Sequence, residues 1–414
     1  MNLSLRRNPT ARTPAVLVAL ALLTTAGCAG DDDGPPAATT TTSATPHGYV
    51  AGAQESAEQQ SRLLLSDPGT GQTRVLDLIT GKTHRAAPRP GTERLTTDGR
   101  FGYFHAADGT HVLDGGAWMV DHGDHVHYYR AAIRDVGRMS AGAGARVRSD
   151  TALTAVTGED GRAVLHARAD LEKGGVGTPR TLPGTYAAPV VPYAEHLLTL
   201  AGDGKGAPEA VVLDRAGGRS VSLRVTCEDP AGDAVTRRGV VFGCADGALL
   251  VREDDGRFTS ERIPYGRDVP ARERAVSFRH RAGSDTLTAP AGDRAVWVLD
   301  VTDRTWRRVE TGPVVAANTA GEGAPLLVLE TDGTLHGYDV ATGARTARTE
   351  RLLAPRRAAD NGASGPVLEV DRSRAYLNDP AGRRVYEIDY NDGLRVARTF
   401  DLDLEPRLMV ETGR

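Results

Sequence analysis

The sequence predicts an all-β chain folded as a β-propeller of eight blades, each a four-stranded antiparallel sheet. Three observations carry this. From about residue 61 onward, short apolar runs alternate with Asp, Gly and Thr turns, and no long segment keeps the 3.6-residue period of a helix. One unit (strand, turn, strand, second turn) recurs at a spacing of about 40 to 50 residues, the period of four-stranded blades. The units run on without a linker midway, which disfavours the main rival, a pair of β-sandwiches.

Before the first unit the chain reads as address and tether. Arg6, Arg7 and Arg12 precede the apolar run Ala15 to Thr25, which meets "AGC" at Cys28. This is the pattern of a secretory signal over residues 1–27 with a lipobox-like end, and the run is too short to persist as a membrane span. The paired arginines lack the apolar residue expected of a twin-arginine signal, so the general export route is expected. Cys28 would carry lipid on its thioether, and two or three acyl chains hold a protein where one binds only marginally. The stretch that follows, to residue 48, has three aspartates, a threonine run and no large apolar side chain, so it cannot bury enough surface to fold. Residues 49–414 are then the propeller. The expected location is the outer face of the cell membrane, reached by the lipid anchor alone.

The repeated units begin with "LLLSDPGTGQTRVLDLITGKT" (63–83) and "FGYFHAADGTHVLDGGAWM" (101–119). They continue through 153–171, 197–218, 240–257 and 287–306 to "LLVLETDGTLHGYDVATGA" (326–344) and "AYLNDPAGRRVYEIDYNDG" (375–393). That is eight blades, or seven if the first and last units share one to close the ring. Asp98-Gly99, Asp108-Gly109, Asp246-Gly247 and Asp332-Gly333 fit hairpin turns and need no calcium.

Charge and cysteine usage narrow the function. Losing residues 1–27 removes three arginines and no acid, taking the formal charge from −4 to −7, which argues against nucleic acid as a partner. Cys227 and Cys244 flank strand-like runs and, in an oxidising compartment, form a candidate disulfide; its loop would be worth roughly 3 kcal/mol in the entropy model. Two free buried thiols or a shared metal are the alternatives, although neither cysteine has the CxxC spacing of a zinc knuckle.

The chain has 11 histidines, and three of them fall in "MVDHGDHVHYYR" (119–130). In an extended segment alternate side chains share a face, so His125 and His127 project together roughly 6 to 7 Å apart along the chain. His122 lies across Gly123, which allows the backbone to fold back, and Asp121 and Asp124 are placed to ligate or to hold an imidazole by its second nitrogen. Two or three imidazoles with a carboxylate suit tetrahedral zinc, though Cu(II) and Ni(II) accept the same donors. His105 and His111, on the preceding hairpin, are possible further donors. His166, His196, His280 and His336 are scattered singles expected to be structural, and His47 and His84 are expected to face solvent.

No catalytic pattern accompanies this segment. H-x-x-H-x-H is neither the H-x-H-x-D-H of metallo-β-lactamase-type hydrolases nor a helical H-E-x-x-H, and there is no G-x-S-x-G elbow or phosphate-cradling loop. A metal-bound water with Asp124 as base would be the one catalytic route. The expectation is therefore a binding protein rather than an enzyme, monomeric, with a metal-free interaction scaffold as the alternative.

The chain resembles the exported zinc metallochaperones that accompany Azt-type zinc ABC importers. The resemblance rests on "VDHGDHVHYY" (Val120 to Tyr129), on Cys227 with "FGCADG" (Phe242 to Gly247), and on the run from Arg374 to Pro406. It implies a β-propeller that binds Zn²⁺ through His122, His125 and His127 and passes it to the solute-binding protein of the importer.

Overall fold

Strand Arg62–Ser66 shows why this sequence closes into a ring: all five of its residues are buried, because each face of the strand meets a different neighbour. Leu63 and Leu65 pack with Tyr376 and Val385 on one side, and Leu64 packs with Phe104 and Leu113 on the other. Sheets covered on both faces by other sheets are what radial packing requires. In the computed structural model, residues 50, 52–121, 125–202, 204–356 and 365–414 are described. Pro46–Arg414 forms one compact unit. The proposed signal, Cys28 and the tether lie outside the described residues, as do His122 and Asp124.

Eight blades follow one another around the ring, each an antiparallel meander. Blade one comprises Arg62–Ser66, Thr73–Asp77 and Thr83–Ala86, and is completed by Leu408–Thr412 from the other end of the chain. Blade two comprises Thr92–Thr97, Phe101–Ala106, Gly109–Asp114 and Arg134–Met139. Blades three, four and five begin at Arg146, Val191 and Asp233, and blades seven and eight at Val314 and Leu368. Closure is thus made by one borrowed strand, while the last unit keeps a blade to itself, so eight blades hold and seven do not. Blade six is the exception to four strands. It has three, Thr286–Pro290, Ala295–Asp300 and Thr305–Glu310, and its innermost position is marked by a single bridge between Arg279 and Thr288.

First strands of neighbouring blades pack against one another around the axis, as Leu408–Thr412 does with Thr92–Thr97 and Val314–Thr319 with Leu368–Val370. The disulfide is present: Cys227 follows the outer strand of blade four, and Cys244 ends the second strand of blade five. It ties two blades together across 17 residues and fits an oxidising compartment. A short helix, Arg168–Lys173, buries Leu171 beside blade three and ends at Gly174 in the left-handed region (φ 93°). Among the described residues no helix is long and apolar enough to cross a membrane.

One sheet stands outside the ring. Ala117–Asp121 and Val126–Arg130 form a hairpin inserted between the third and fourth strands of blade two, and Gln54–Ser56 adds a third strand along its outer edge.

Candidate functional site at the inserted hairpin

The hairpin is rooted by a sharp turn that only glycine fits. Gly116 has φ 66°, and a Cβ there would lie 2.6 Å from the Ala131 carbonyl oxygen and 2.8 Å from that of Ala132. The Ala131 N–H donates to the Gly116 carbonyl at 2.8 Å, and Arg62 Nη1 donates to the Gly115 carbonyl at 2.6 Å. Arg100, salt-bridged to Asp114 at 3.0 Å, stacks its guanidinium 3.7 Å above the Trp118 ring.

From that root an aromatic column climbs one face. In the hairpin register Trp118 opposes Tyr129 and Val120 opposes His127, so these side chains share a face. Trp118 stacks on Tyr129 at 5.4 Å, Tyr129 on His127 at 6.3 Å, and His127 meets His125 edge-on at 4.9 Å between ring centroids. Exposure rises along the column, from the buried Tyr129 through the half-buried His127 to the exposed His125. The structure thus brings His125 and His127 together, on a rigid stem, at the solvent end.

Sequence reading did not find Glu55. Gln54–Ser56 pairs with Val126–Arg130, which sets Glu55 opposite Tyr129 and places its Oε1 2.6 Å from His127 Nδ1. A carboxylate can only accept here, so His127 donates its Nδ1–H to Glu55, the outer-shell arrangement usual for metal-binding imidazoles. No local signal marks Glu55, because the contact joins residues 72 apart in sequence.

Asp121 falls on the other side. It opposes Val126, not a histidine, and its Oδ2 pairs with Arg237 Nη2 at 3.0 Å. Arg237 lies in the turn between the first and second strands of blade five. On the same side Met119 faces a small cavity with Arg281 of blade six, and with Asp371 and Arg372 of blade eight. The hairpin, rooted in blade two, therefore reaches loops on the far side of the ring and lies across one mouth of its axis.

The remaining histidines divide. His105 is fully buried inside blade two, within hydrogen-bond distance of Thr96 Oγ1 (2.8 Å) and Thr110 Oγ1 (3.0 Å), and burial pushes its pKa down to about 3. His111 stays on the third strand of that blade, half-buried. His166 bonds the Val176 carbonyl, His196 that of Ala194 and His280 that of Val235, while His84 is exposed. His336, expected to be structural, has acidic neighbours. With Glu330 and Asp332 it makes the one group among the described residues whose three ligand atoms lie within 4.8 Å of one another. The sequence signal was the spacing E-x-D-x-x-x-H around Asp332-Gly333, which also reads as an ordinary hairpin turn.

No protein-family model and no curated protein matches the sequence. The fold defines the class: an eight-bladed β-propeller carrying a histidine-bearing hairpin over one end of its axis. Among solved structures the chain is similar to the crystal structure of Citrobacter koseri AztD, with a TM-score of 0.71 at 16% identity, covering 86% of this chain and 98% of that one. The apo form of the same AztD superposes equally well, with a TM-score of 0.70, 16% identity, and 85% and 98% coverage. A dihydro-heme d1 dehydrogenase, NirN, is more distant, with a TM-score of 0.54 at 16% identity over 86% of this chain and 76% of that one.

Proposed function

We propose that this protein is an extracytoplasmic zinc carrier, lipid-anchored at Cys28, which captures Zn²⁺ at the hairpin and yields it to the solute-binding protein of a zinc ABC importer. The observation that carries the reading is the pairing of His125 and His127 at the exposed end of a rigid aromatic stem, with Glu55 holding His127 from behind. Likeness of fold to AztD supports it. His122 and Asp124, which follow Asp121 in sequence and lie outside the described residues, complete the proposed donor set; Asp121 contributes by fixing the hairpin through Arg237.

The chemistry is ligand exchange. A cation held by two imidazoles near solvent, with an incomplete shell, can be taken over by a receptor that supplies further donors, unlike a closed structural zinc site. The role is carriage by a monomer, not catalysis. It is tested by loading the full chain with Zn²⁺ and following transfer to the solute-binding protein, with and without the substitutions His125→Ala and His127→Ala. The double variant is expected to lose both solvent-reachable zinc and transfer. Transfer that continues unchanged would remove this site, and a parent protein that binds no zinc would favour a metal-free scaffold.

A further inference from the structure

Blade seven holds a second set of donors, at the opposite end of the ring from the hairpin. The hairpin joins third and fourth strands, whereas Asp332 sits in a turn joining second and third strands, and successive turns of an antiparallel meander alternate ends. Glu330 ends Leu326–Glu330, and His336 lies within Thr334–Tyr338. Val328 opposes His336 in the ladder, so Glu330, two residues on, presents its side chain on the same face.

His336 is only 3% exposed, and neither of its ring nitrogens has a hydrogen-bond partner. Leaving buried polar atoms unpaired is costly, so an imidazole in that state needs an explanation. Its Nε2 lies 3.5 Å from Glu330 Oε2, in a geometry that makes no hydrogen bond. Donors bound tetrahedrally to a cation at roughly 2.0 to 2.1 Å stand roughly 3.3 Å from one another, so the gap is the edge of such a site.

Glu330 is held for this purpose by its other oxygen. Oε1 accepts from the Tyr338 hydroxyl at 2.6 Å and from the Gly312 N–H at 3.0 Å, which leaves Oε2 turned toward His336. A Cβ at Gly312 would fall 1.8 Å from Oε2, so any side chain there would push the carboxylate out of this position. Asp332 adds an exposed carboxylate from the turn. Arg348, opposite His336 in the ladder, and Arg345, opposite Tyr338, are the cationic neighbours on the fourth strand.

We propose that Glu330, Asp332 and His336 form a second cation site that takes a first-row divalent ion of the zinc class. One imidazole with two carboxylates favours such an ion over Mg²⁺ or Ca²⁺, which prefer all-oxygen shells. The exposed Asp332 gives the ion its way in. This site stands independently of the hairpin.

Equilibrium dialysis of the full chain against Zn²⁺, with bound metal counted by atomic emission, tests it. The His125→Ala/His127→Ala protein is expected to retain one equivalent of zinc, and adding Glu330→Gln or His336→Leu is expected to abolish it. Glu330→Gln keeps the shape of the buried side chain, so a folded protein is available even if His336→Leu does not fold. Tyr338→Phe keeps all three donors but frees Oε1, and is expected to weaken this zinc about 10- to 100-fold. A hairpin variant that retains no zinc would overturn the proposal while leaving the hairpin reading intact. Retained zinc that survives Glu330→Gln would overturn it too, and displacement by a tenfold excess of Mg²⁺ or Ca²⁺ would overturn the assignment to the zinc class.

Discussion

Removing the Glu55 side chain probes the hairpin site without touching a proposed ligand. Glu55→Ala deletes the carboxylate 2.6 Å from His127 Nδ1 while leaving the backbone pairing of Gln54–Ser56 in place. Loss of an outer-shell partner of a metal-binding imidazole costs about 10- to 100-fold in affinity. Glu55 is 46% exposed, so water partly replaces it and the lower end applies: about tenfold, or about 1.4 kcal/mol. The assay is competition for Zn²⁺ against a chromophoric chelator at neutral pH, in a background carrying Glu330→Gln so that only the hairpin is read. An affinity unchanged from that background would refute the argument that Glu55 is an outer-shell partner of His127. A loss well beyond a hundredfold would also refute it, by making Glu55 a ligand of the ion itself.

Replacing Cys227 and Cys244 together with Ala is expected to lower stability by about 3 kcal/mol, the loop entropy for 17 residues, read from denaturant midpoints; a change under about 1 kcal/mol would count against it. His105 stays neutral when folded, with its pKa pushed down to about 3, whereas in the unfolded chain it takes up a proton below about 6.5. Stability is therefore lost as pH falls through that window, by about 2 kcal/mol between pH 7 and pH 5, and His105→Gln should remove this part of the slope in denaturant titrations at the two pH values. Gly116→Ala forces a Cβ to 2.6 Å from the Ala131 carbonyl oxygen at φ 66°; it should cost at least about 1 kcal/mol, with hydrogen exchange rising in Ala117–Asp121. Arg237→Ala, at a largely exposed ion pair, should leave thermal stability within about 1 kcal/mol of the parent yet speed exchange in the same strand.

The fold was legible because its period was. Units such as 63–83 and 326–344 each carry two buried strands about a Gly-containing turn, and the structure turns each into the middle of a blade. What the units do not show is the strand that each borrows or lacks. Leu408–Thr412 belongs to blade one for topological reasons, and the inner position of blade six is reduced to a bridge at Arg279. Pairing of His125 with His127 followed from strand alternation alone. Glu55 did not, because the strand that carries it reaches the hairpin from another part of the chain. The closeness of His336 to Glu330 went unmarked for a related reason: a single histidine gives no local pattern, and the two meet only across a folded hairpin. The pairing of Asp121 with Arg237 was likewise illegible, because it joins the hairpin to a turn of blade five far along the chain.

The borrowed strand of blade one makes ring closure depend on a pairing between the two ends of the propeller sequence. Ser61 Oγ donates to Glu411 at 2.9 Å across 350 residues. Contacts of such long range are slow to form, and until they do blade one offers an open edge to any other extended chain. The last strand in the sequence is thus also the one that protects the first blade from unwanted pairing.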